Sequence, residues 1–236
     1  MIGEALRAEI DRYSIAMRRS NPLFTKAADG SLTAECIARY LANIHSLIGY
    51  TPIYLARARD RARYMGDDHL AAHFHHKLGE EAGHDAWAER DFQRVSRQAS
   101  KQIERNTVPA IRGLIDYLGG MIDEDPALYL AYILFTEQLI VILGPEWLML
   151  LEERCGIPRS SMTVIANHAE LDKAHVEEAL EEIDDLVGDP RKLPKMREAL
   201  LESIAYFDRF CAEVTSLENH HDIAASGDPA LHVSAA

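Results

Sequence analysis

The chain has 236 residues, 47% of them hydrophobic, which provides enough apolar surface for one compact domain with a substantial core. Its 38 Asp and Glu residues exceed its 25 Lys and Arg residues, and the formal net charge is −13. Nucleic acids and anionic membranes need a concentrated positive surface, and no dense Lys/Arg cluster is present, so the composition argues against both partners.

The three cysteines, Cys36, Cys155 and Cys211, lie far apart and form no Cys-x-x-Cys pair. We therefore expect neither a disulfide framework nor a zinc knuckle, and the pattern is typical of a protein of the reducing cytoplasm. The N-terminal stretch MIGEALRAEIDRYS has the charged pattern of an amphipathic helix and lacks the apolar core of a signal peptide. Both features predict a cytoplasmic location.

Helical periodicity dominates the chain, and no stretch alternates Val, Ile and Thr with a period of two residues. This predicts an all-α fold. Gly, Pro and Asp residues mark the breaks between helices. The predicted helices, in chain order, span residues 3–19, 32–64, 67–98, 107–123, 126–154, 160–187 and 191–217.

The sequence divides into one domain, residues 1–218, and a C-terminal stretch, residues 219–236. This stretch is rich in Ala, Ser, Gly and Asp and has few large apolar residues, so we expect a mobile tail. His220 and His221 fall within it, which makes them poor candidates for metal ligands.

The third predicted helix, residues 67–98, carries an acidic residue at the centre of its apolar stripe. The stripe consists of Leu70, Phe74, Leu78, Glu81, Asp85, Ala88, Phe92 and Val95. A carboxylate among such residues loses its hydration at a large cost in free energy, so Glu81 predicts a nearby cation. His84 follows three residues later, and a Glu-x-x-His pair on a helix can reach one metal ion. The competing interpretation is a surface Glu beside a solvated His.

The fifth predicted helix, residues 126–154, contains the nearly apolar segment LYLAYILFTEQLIVILGPEWLMLL, residues 128–151. It is long enough to span a membrane, but a central carboxylate is costly in lipid, so we interpret it as a buried helix of a soluble bundle. That carboxylate, Glu137, is either a metal ligand or a buried acid paired with an Arg. We favour the metal ligand.

The sixth predicted helix contains the string NHAELDKAHVEE, in which His168, Asp172 and His175 share one face at positions i, i+4 and i+7. Asp172 and His175 repeat the carboxylate-x-x-His spacing on a second helix. Imidazoles and carboxylates without a thiolate favour iron or manganese. The predicted metal-binding and catalytic residues are Glu81, His84, Glu137, His168, Asp172 and His175.

Several other residues stay open as candidates. Glu80 or Asp85 would replace Glu81 if the helical phase differed by one residue. His73 lies at the margin of the stripe, and His45 faces an apolar helix. Candidates for the wall of a substrate cavity are Tyr50, Tyr54, Arg57, Arg61, Trp87 and Tyr132.

At these residues the chain resembles the haem-oxygenase-like di-iron oxidases and oxygenases, a branch of the haem-oxygenase, thiaminase and PQQ-synthase-like superfamily. The strings that carry the resemblance are GEEAGHDAWAERD (79–91), FTEQLIV (135–141) and NHAELDKAHVEE (167–178). The last is the most specific, since it contains His-x-x-x-Asp-x-x-His. The resemblance covers about residues 35 to 215 and implies a helical bundle of about seven helices.

The resemblance also implies a function. It makes the same six residues ligands of Fe(II), with two ions per chain and dioxygen as the co-substrate. The expected enzyme is a non-haem iron oxidoreductase that oxidises a small organic substrate, such as an amino acid, an amine or a fatty acid derivative. A separate electron donor and a homodimer are further expectations.

The sequence departs from the family pattern in one respect. Some members add a carboxylate from the early helix, whereas residues 38–58 contain no Asp or Glu and offer only His45. The alternatives are a metal-free PQQ-synthase-like or thiaminase-like enzyme, with His84 and His175 as general acid and base, and a non-catalytic iron- or dioxygen-binding protein. No His precedes His45 to serve as the proximal ligand of a true haem oxygenase, and the catalytic cysteine of thiaminase-type members has no clear counterpart.

Overall fold

The computed structural model describes residues 1–216 and contains nine α-helices and three short 3-10 helices, with no β-strand among these residues. The prediction of an all-α fold is confirmed. The helices are α1 (Ile2–Ser20), α2 (Pro22–Asp29), α3 (Ala34–Tyr64), α4 (Asp68–Glu80), α5 (Asp85–Ser96), α6 (Pro109–Glu124), α7 (Tyr129–Cys155), α8 (Thr163–Val187) and α9 (Leu193–Ser216). The expected C-terminal tail, with His220 and His221, lies outside the described residues.

The short helix α2 occupies residues for which the sequence predicts only a connection. The side chain of Asn21 accepts a hydrogen bond from the backbone N–H of Leu23 at 3.0 Å, and Pro22 takes the first helical position. An Asn-Pro pair begins a helix as readily as it breaks one, because Pro lacks an N–H that the first turn would leave unbonded. The same two residues therefore end one helix and start the next.

The helix predicted over residues 67–98 is two helices in the structure, so that prediction is wrong at its centre. α4 ends at Glu80, α5 begins at Asp85, and Gly83 between them has a φ of +86°. Glycine adopts this left-handed conformation without the steric cost that other residues meet. A single Gly within a helical pattern is a weak stop signal, which is why the periodicity alone missed the break.

Helices α3 and α7 form the centre of the bundle. α7 packs against α1, α2, α8 and α9, and α3 packs against α4, α5 and α6. Within residues 1–216, the segment Pro126–Cys155 is long and apolar enough to cross a membrane, yet 72% of its apolar stretch is buried inside the fold. The interpretation of this segment as a buried core helix is confirmed.

Gly30 follows the last residue of α2 and packs against the C-terminal end of α7. It has a φ of +78°, and a Cβ atom at this position would lie 3.0 Å from the carbonyl oxygen of Arg154. We expect Gly30→Ala to lower the free energy of unfolding by about 1–2 kcal/mol, because Ala is strained in the left-handed region.

Thermal unfolding measures this change, with Gly120→Ala as the control. Gly120 is exposed in α6 with open space around it, and its replacement is expected to stabilise the helix by up to about 1 kcal/mol. Equal melting temperatures for the wild type and Gly30→Ala would contradict this account of the contact between α2 and α7.

Candidate metal centre

The six residues that the sequence predicts as ligands lie in the interior of the bundle and form two groups. The turn between α4 and α5 contributes two of them, the middle of α7 one and a single face of α8 three. Those most buried are His84, Glu137 and Asp172, with 8%, 6% and 3% of their surface exposed. The two groups differ in what holds them together.

The first group consists of Glu81, His84 and His168. One ligand atom from each residue lies within 4.8 Å of the other two, and Glu81 Oε2 is 3.1 Å from His84 Nδ1. His168 Nδ1 donates to the carbonyl oxygen of Val164 at 2.7 Å, which leaves the lone pair of that ring on Nε2. Two imidazoles and one carboxylate at this separation can share a metal ion.

The turn between α4 and α5 brings the side chains of Glu81 and His84 next to each other. The backbone N–H of His84 donates to the carbonyl oxygen of Glu81 at 3.4 Å, across the left-handed Gly83. Trp87 stacks on the ring of His84 with 4.2 Å between ring centroids. It also meets the ring of His168 edge-on at 5.5 Å. Trp87 thereby fixes the orientation of both imidazoles.

The second group, Glu137, Asp172 and His175, lies beside a buried lysine that the sequence motifs did not reveal. Lys77 Nζ lies 3.1 Å from Glu137 Oε1 and 3.2 Å from Glu80 Oε2. His175 Nδ1 lies 3.3 Å from Asp172 Oδ1 and 3.8 Å from Glu137 Oε1. The competing interpretation of Glu137 was a buried acid paired with an Arg. The structure contains such a pair, but the basic residue is Lys77.

A signal for Lys77 is present in the sequence. It follows Leu70 by seven residues and Phe74 by three, so it shares the apolar face of α4. A charged residue on a buried face is the same signal that drew attention to Glu81. Lys77 could therefore have been found by applying that criterion to basic residues as well.

A cavity of about 200 Å³ lies beside both groups. The charged and imidazole side chains in its wall are Lys77, Glu81, Glu137, His168 and Asp172. Most of the remaining wall is apolar and includes Ile44, Leu47, Ile48, Ile140, Leu143 and Trp147.

No family model and no curated protein matches this sequence. Solved structures do match. A domain of unknown function with a heme oxygenase-like fold from Shewanella denitrificans aligns over 97% of this chain and 98% of its own, with a TM-score of 0.80 and 19% identity. The chain has a haem-oxygenase-like fold. The fold that the resemblance implies is thereby confirmed.

Two further solved structures share this haem-oxygenase-like fold with the chain. A TenA homologue from Pseudomonas syringae aligns over 90% of this chain and 92% of its own, with a TM-score of 0.68 and 19% identity. A CADD-like protein of unknown function from Nostoc punctiforme aligns over 90% and 96%, with a TM-score of 0.63 and 14% identity. Likeness at such identities concerns the fold, and the activity has to be argued from the site.

Burial and hydrogen bonding leave Glu81 and His168 in the protonation states that bind a metal. Burial by itself would raise the pKa of Glu81, but the hydrogen bond and the charge of His84 outweigh it and lower that pKa. Burial lowers the pKa of His168. At neutral pH the carboxyl is therefore ionised and this imidazole is neutral, the forms that donate to a metal ion.

In the second group, burial raises the pKa values of both carboxyl groups. Burial, together with the charge of Glu137, raises the pKa of Asp172 to about 8. Burial also raises the pKa of Glu137 to about 7, although Lys77 opposes the shift. For Lys77, burial acts to lower the pKa, but Glu137 and Glu80 outweigh it and raise that pKa. The ammonium is charged, Asp172 retains its proton near neutral pH, and Glu137 is partly ionised.

These pKa shifts predict how the stability of the metal-free protein depends on pH. Asp172 has a higher pKa in the folded protein than in the unfolded chain, so the folded state binds more protons and its stability falls as the pH rises. The loss is absent below about pH 4, complete above about pH 8, and at most about 1.4 kcal/mol per pH unit. Asp172→Asn removes this contribution.

Urea denaturation after treatment with a chelator, at pH 6 and pH 8, measures the effect. We expect Asp172→Asn to lose less stability than the wild type between the two pH values. Asp116→Asn, at an exposed position of α6, is the control. Equal losses for the wild type and Asp172→Asn would contradict the raised pKa.

Of the four competing candidates, His45 and Asp85 lie away from this centre. His73 pairs with Glu182 at 3.4 Å, and His45 and Asp85 line an open groove on the surface. Glu80 contacts Lys77 in the second group. Helix α3 therefore adds no ligand through His45.

Of the residues predicted to line a substrate cavity, only Tyr132 does so. Arg57 instead forms an ion pair with Asp123. The residues that lie outside the cavity wall are Tyr50, Tyr54, Arg57, Arg61 and Trp87. Aromatic and basic residues at helical spacing do not by themselves distinguish a cavity wall from ordinary packing.

Proposed function

We propose that this protein is a non-haem iron oxidase or oxygenase that uses dioxygen to oxidise a small organic substrate. The observation that carries the proposal is the meeting of Glu81, His84 and His168 within 4.8 Å of one another beside a cavity. Two imidazoles and one carboxylate leave other coordination positions open, and this ligand set is typical of Fe(II) oxygenases. No cysteine lines the cavity to favour a thiolate-bound metal.

The iron, when bound, supplies the redox chemistry that couples dioxygen to the substrate. The side chains of the protein bind and orient the substrate and handle protons. Glu137 and Asp172 line the cavity, and burial raises their pKa values to about 7 and about 8, so each carboxyl can donate or accept a proton near neutral pH. The ion pair with Lys77 holds Glu137 in position.

The cavity wall favours a substrate with an apolar body. Side chains such as Ile48, Ile140 and Leu143 surround most of the space, and the polar groups are those of the two ligand groups and their neighbours. An apolar wall of this kind excludes water and binds aliphatic or aromatic groups. Among amino acids, amines and fatty acid derivatives, we favour those with an aliphatic or aromatic part next to the oxidised carbon or nitrogen.

Several expectations from the sequence stay predictions. They are a separate electron donor, a homodimer and a cytoplasmic location. The expected number of two Fe(II) ions per chain is untested as well. The interpretation of residues 1–218 as a single domain is also untested.

A metal-free enzyme is the second candidate function, because one structural neighbour is a TenA homologue. In that case the sequence predicts His84 and His175 as general acid and base, although neither residue lines the cavity. The cysteines oppose a thiaminase-like mechanism, since Cys36 and Cys211 are buried and none of the three cysteines lines the cavity. A non-catalytic carrier would bind iron and dioxygen without consuming dioxygen.

Anaerobic loading with Fe(II), followed by metal analysis, tests the proposal. We expect iron to be retained by the wild type and by His75→Ala, which changes an exposed histidine of α4, and to be lost from His168→Ala. Iron uptake that is absent, or equal in all three proteins, would reject the metal site. Dioxygen consumption that depends on an added organic substrate distinguishes the enzyme from a carrier.

A further inference from the structure

The second group of acidic and imidazole residues already contains a cation. The ammonium of Lys77 contacts Glu137 from α7 and Glu80 from its own helix, at 3.1 and 3.2 Å, and only 2% of Lys77 is exposed. Lysine is almost never buried to this extent unless it is paired. Its charge lies against Glu137, one of the three residues that would hold a second metal ion together with Asp172 and His175.

The residues around Lys77 are nevertheless a set of metal ligands. Asp172 Oδ1 and Glu137 Oε1 lie 3.3 and 3.8 Å from His175 Nδ1. Glu137 Oε2 and His175 Nδ1 are buried, and neither makes a hydrogen bond. Buried polar atoms without a partner are rare because they are costly. These atoms indicate a position suited to a cation, which one ammonium satisfies only in part.

We propose that Lys77 fills the second cation position of this centre and that the protein therefore binds one metal ion per chain, at Glu81, His84 and His168. This inference rests on the proposed metal site. A divalent ion beside Glu137 and Asp172 would lie close to the ammonium, and like charges repel strongly in a buried region. Displacing Lys77 would break its ion pairs with carboxylates of two helices.

Lys77 thereby determines how many metal ions the centre accepts. Lys77→Met keeps a side chain of similar length without the charge. It leaves Glu80 and Glu137 without their cation, so we expect this variant to bind a second ion. The expected change is from one ion per chain in the wild type to two.

Saturation with Mn(II), removal of free ion and elemental analysis measure the stoichiometry. Electron paramagnetic resonance of the same samples gives an independent readout. We expect the spectrum of an isolated Mn(II) ion from the wild type and that of an exchange-coupled pair from Lys77→Met. Lys173→Met removes an exposed lysine of α8, which pairs with Glu170, and is expected to keep one ion.

The outcomes separate this inference from the proposed function. Two ions per chain in the wild type, or a single ion in Lys77→Met, would overturn the role of Lys77 and leave the metal site standing. No specific ion in the wild type would overturn both. If Lys77→Met does not fold, Lys77→Gln takes its place, and one ion in that variant would count against the inference in the same way.

Discussion

Glu81→Gln is expected to lower the affinity for Fe(II) by more than about 100-fold. Glu81 is the one anion of the group that it forms with His84 and His168. Loss of a residue that merely supports a metal ligand already costs about 10–100-fold in affinity, so loss of an anionic ligand costs more. Anaerobic competition with a chromophoric chelator measures the change.

Glu80→Gln is the matched control for this substitution. Glu80 precedes Glu81 in the sequence, but it pairs with Lys77 and lies outside the group of three. We expect a much smaller change in affinity from it. Equal losses of Fe(II) affinity in the two variants would refute the assignment of Glu81 as a ligand. A larger loss in Glu80→Gln would indicate that Glu80 is the ligand in its place.

Asp91→Ala is expected to lower the free energy of unfolding by about 2–4 kcal/mol, because Asp91 caps a helix from a distance. It is fully buried in α5 and accepts hydrogen bonds from Thr163 Oγ1 at 2.8 Å and from the backbone N–H of Val164 at 2.7 Å. No side chain of α8 itself caps this end. Truncation leaves the first turn of α8 with buried donors and no acceptor.

Thermal and urea denaturation measure this effect, and about 2–4 °C of melting temperature corresponds to each kcal/mol for a chain of this size. Asp91→Asn keeps an acceptor oxygen without the charge, so we expect an intermediate loss. Iron affinity is expected to fall in Asp91→Ala as well, because His168 lies about one turn beyond the capped end. Wild-type stability in Asp91→Ala would contradict the cap.

The face of α8 is the part of the site that the sequence predicted best. His168, Asp172 and His175 lie in one continuous helix, so their common direction follows from local geometry alone. Their partners come from α4, α7 and the turn before α5, and only the charges on apolar faces indicated that these elements would meet there. The haem-oxygenase-like fold followed from a resemblance carried by three short strings.

The turn between α4 and α5 shows where helical periodicity fails. The helical periodicity of residues 67–98 predicts that Glu81 lies inside one continuous helix. In the structure α4 ends at Glu80, and Gly83 in the following turn has a left-handed conformation. Glu81 still reaches the interior, but through a turn that depends on packing against α3 and α8. A pattern of residues along one helix cannot describe such a turn.

Lys77 and the cavity depend on contacts between residues that are distant in the sequence. Lys77 meets Glu137 sixty residues later, on another helix. A lysine is buried only when it is paired, so the place of Lys77 on the apolar face of α4 indicates that it has an acidic partner but does not identify Glu137 as that partner. The cavity wall likewise combines side chains of several helices, and each of them taken alone is typical of an ordinary core.

A crystal structure of the protein soaked with Mn(II) or Fe(II), with anomalous scattering recorded at the metal edge, tests the central claim most directly. The account predicts an anomalous peak within coordination distance of Glu81, His84 and His168. A peak elsewhere, or the side chains of these three residues pointing away from one another, would contradict it.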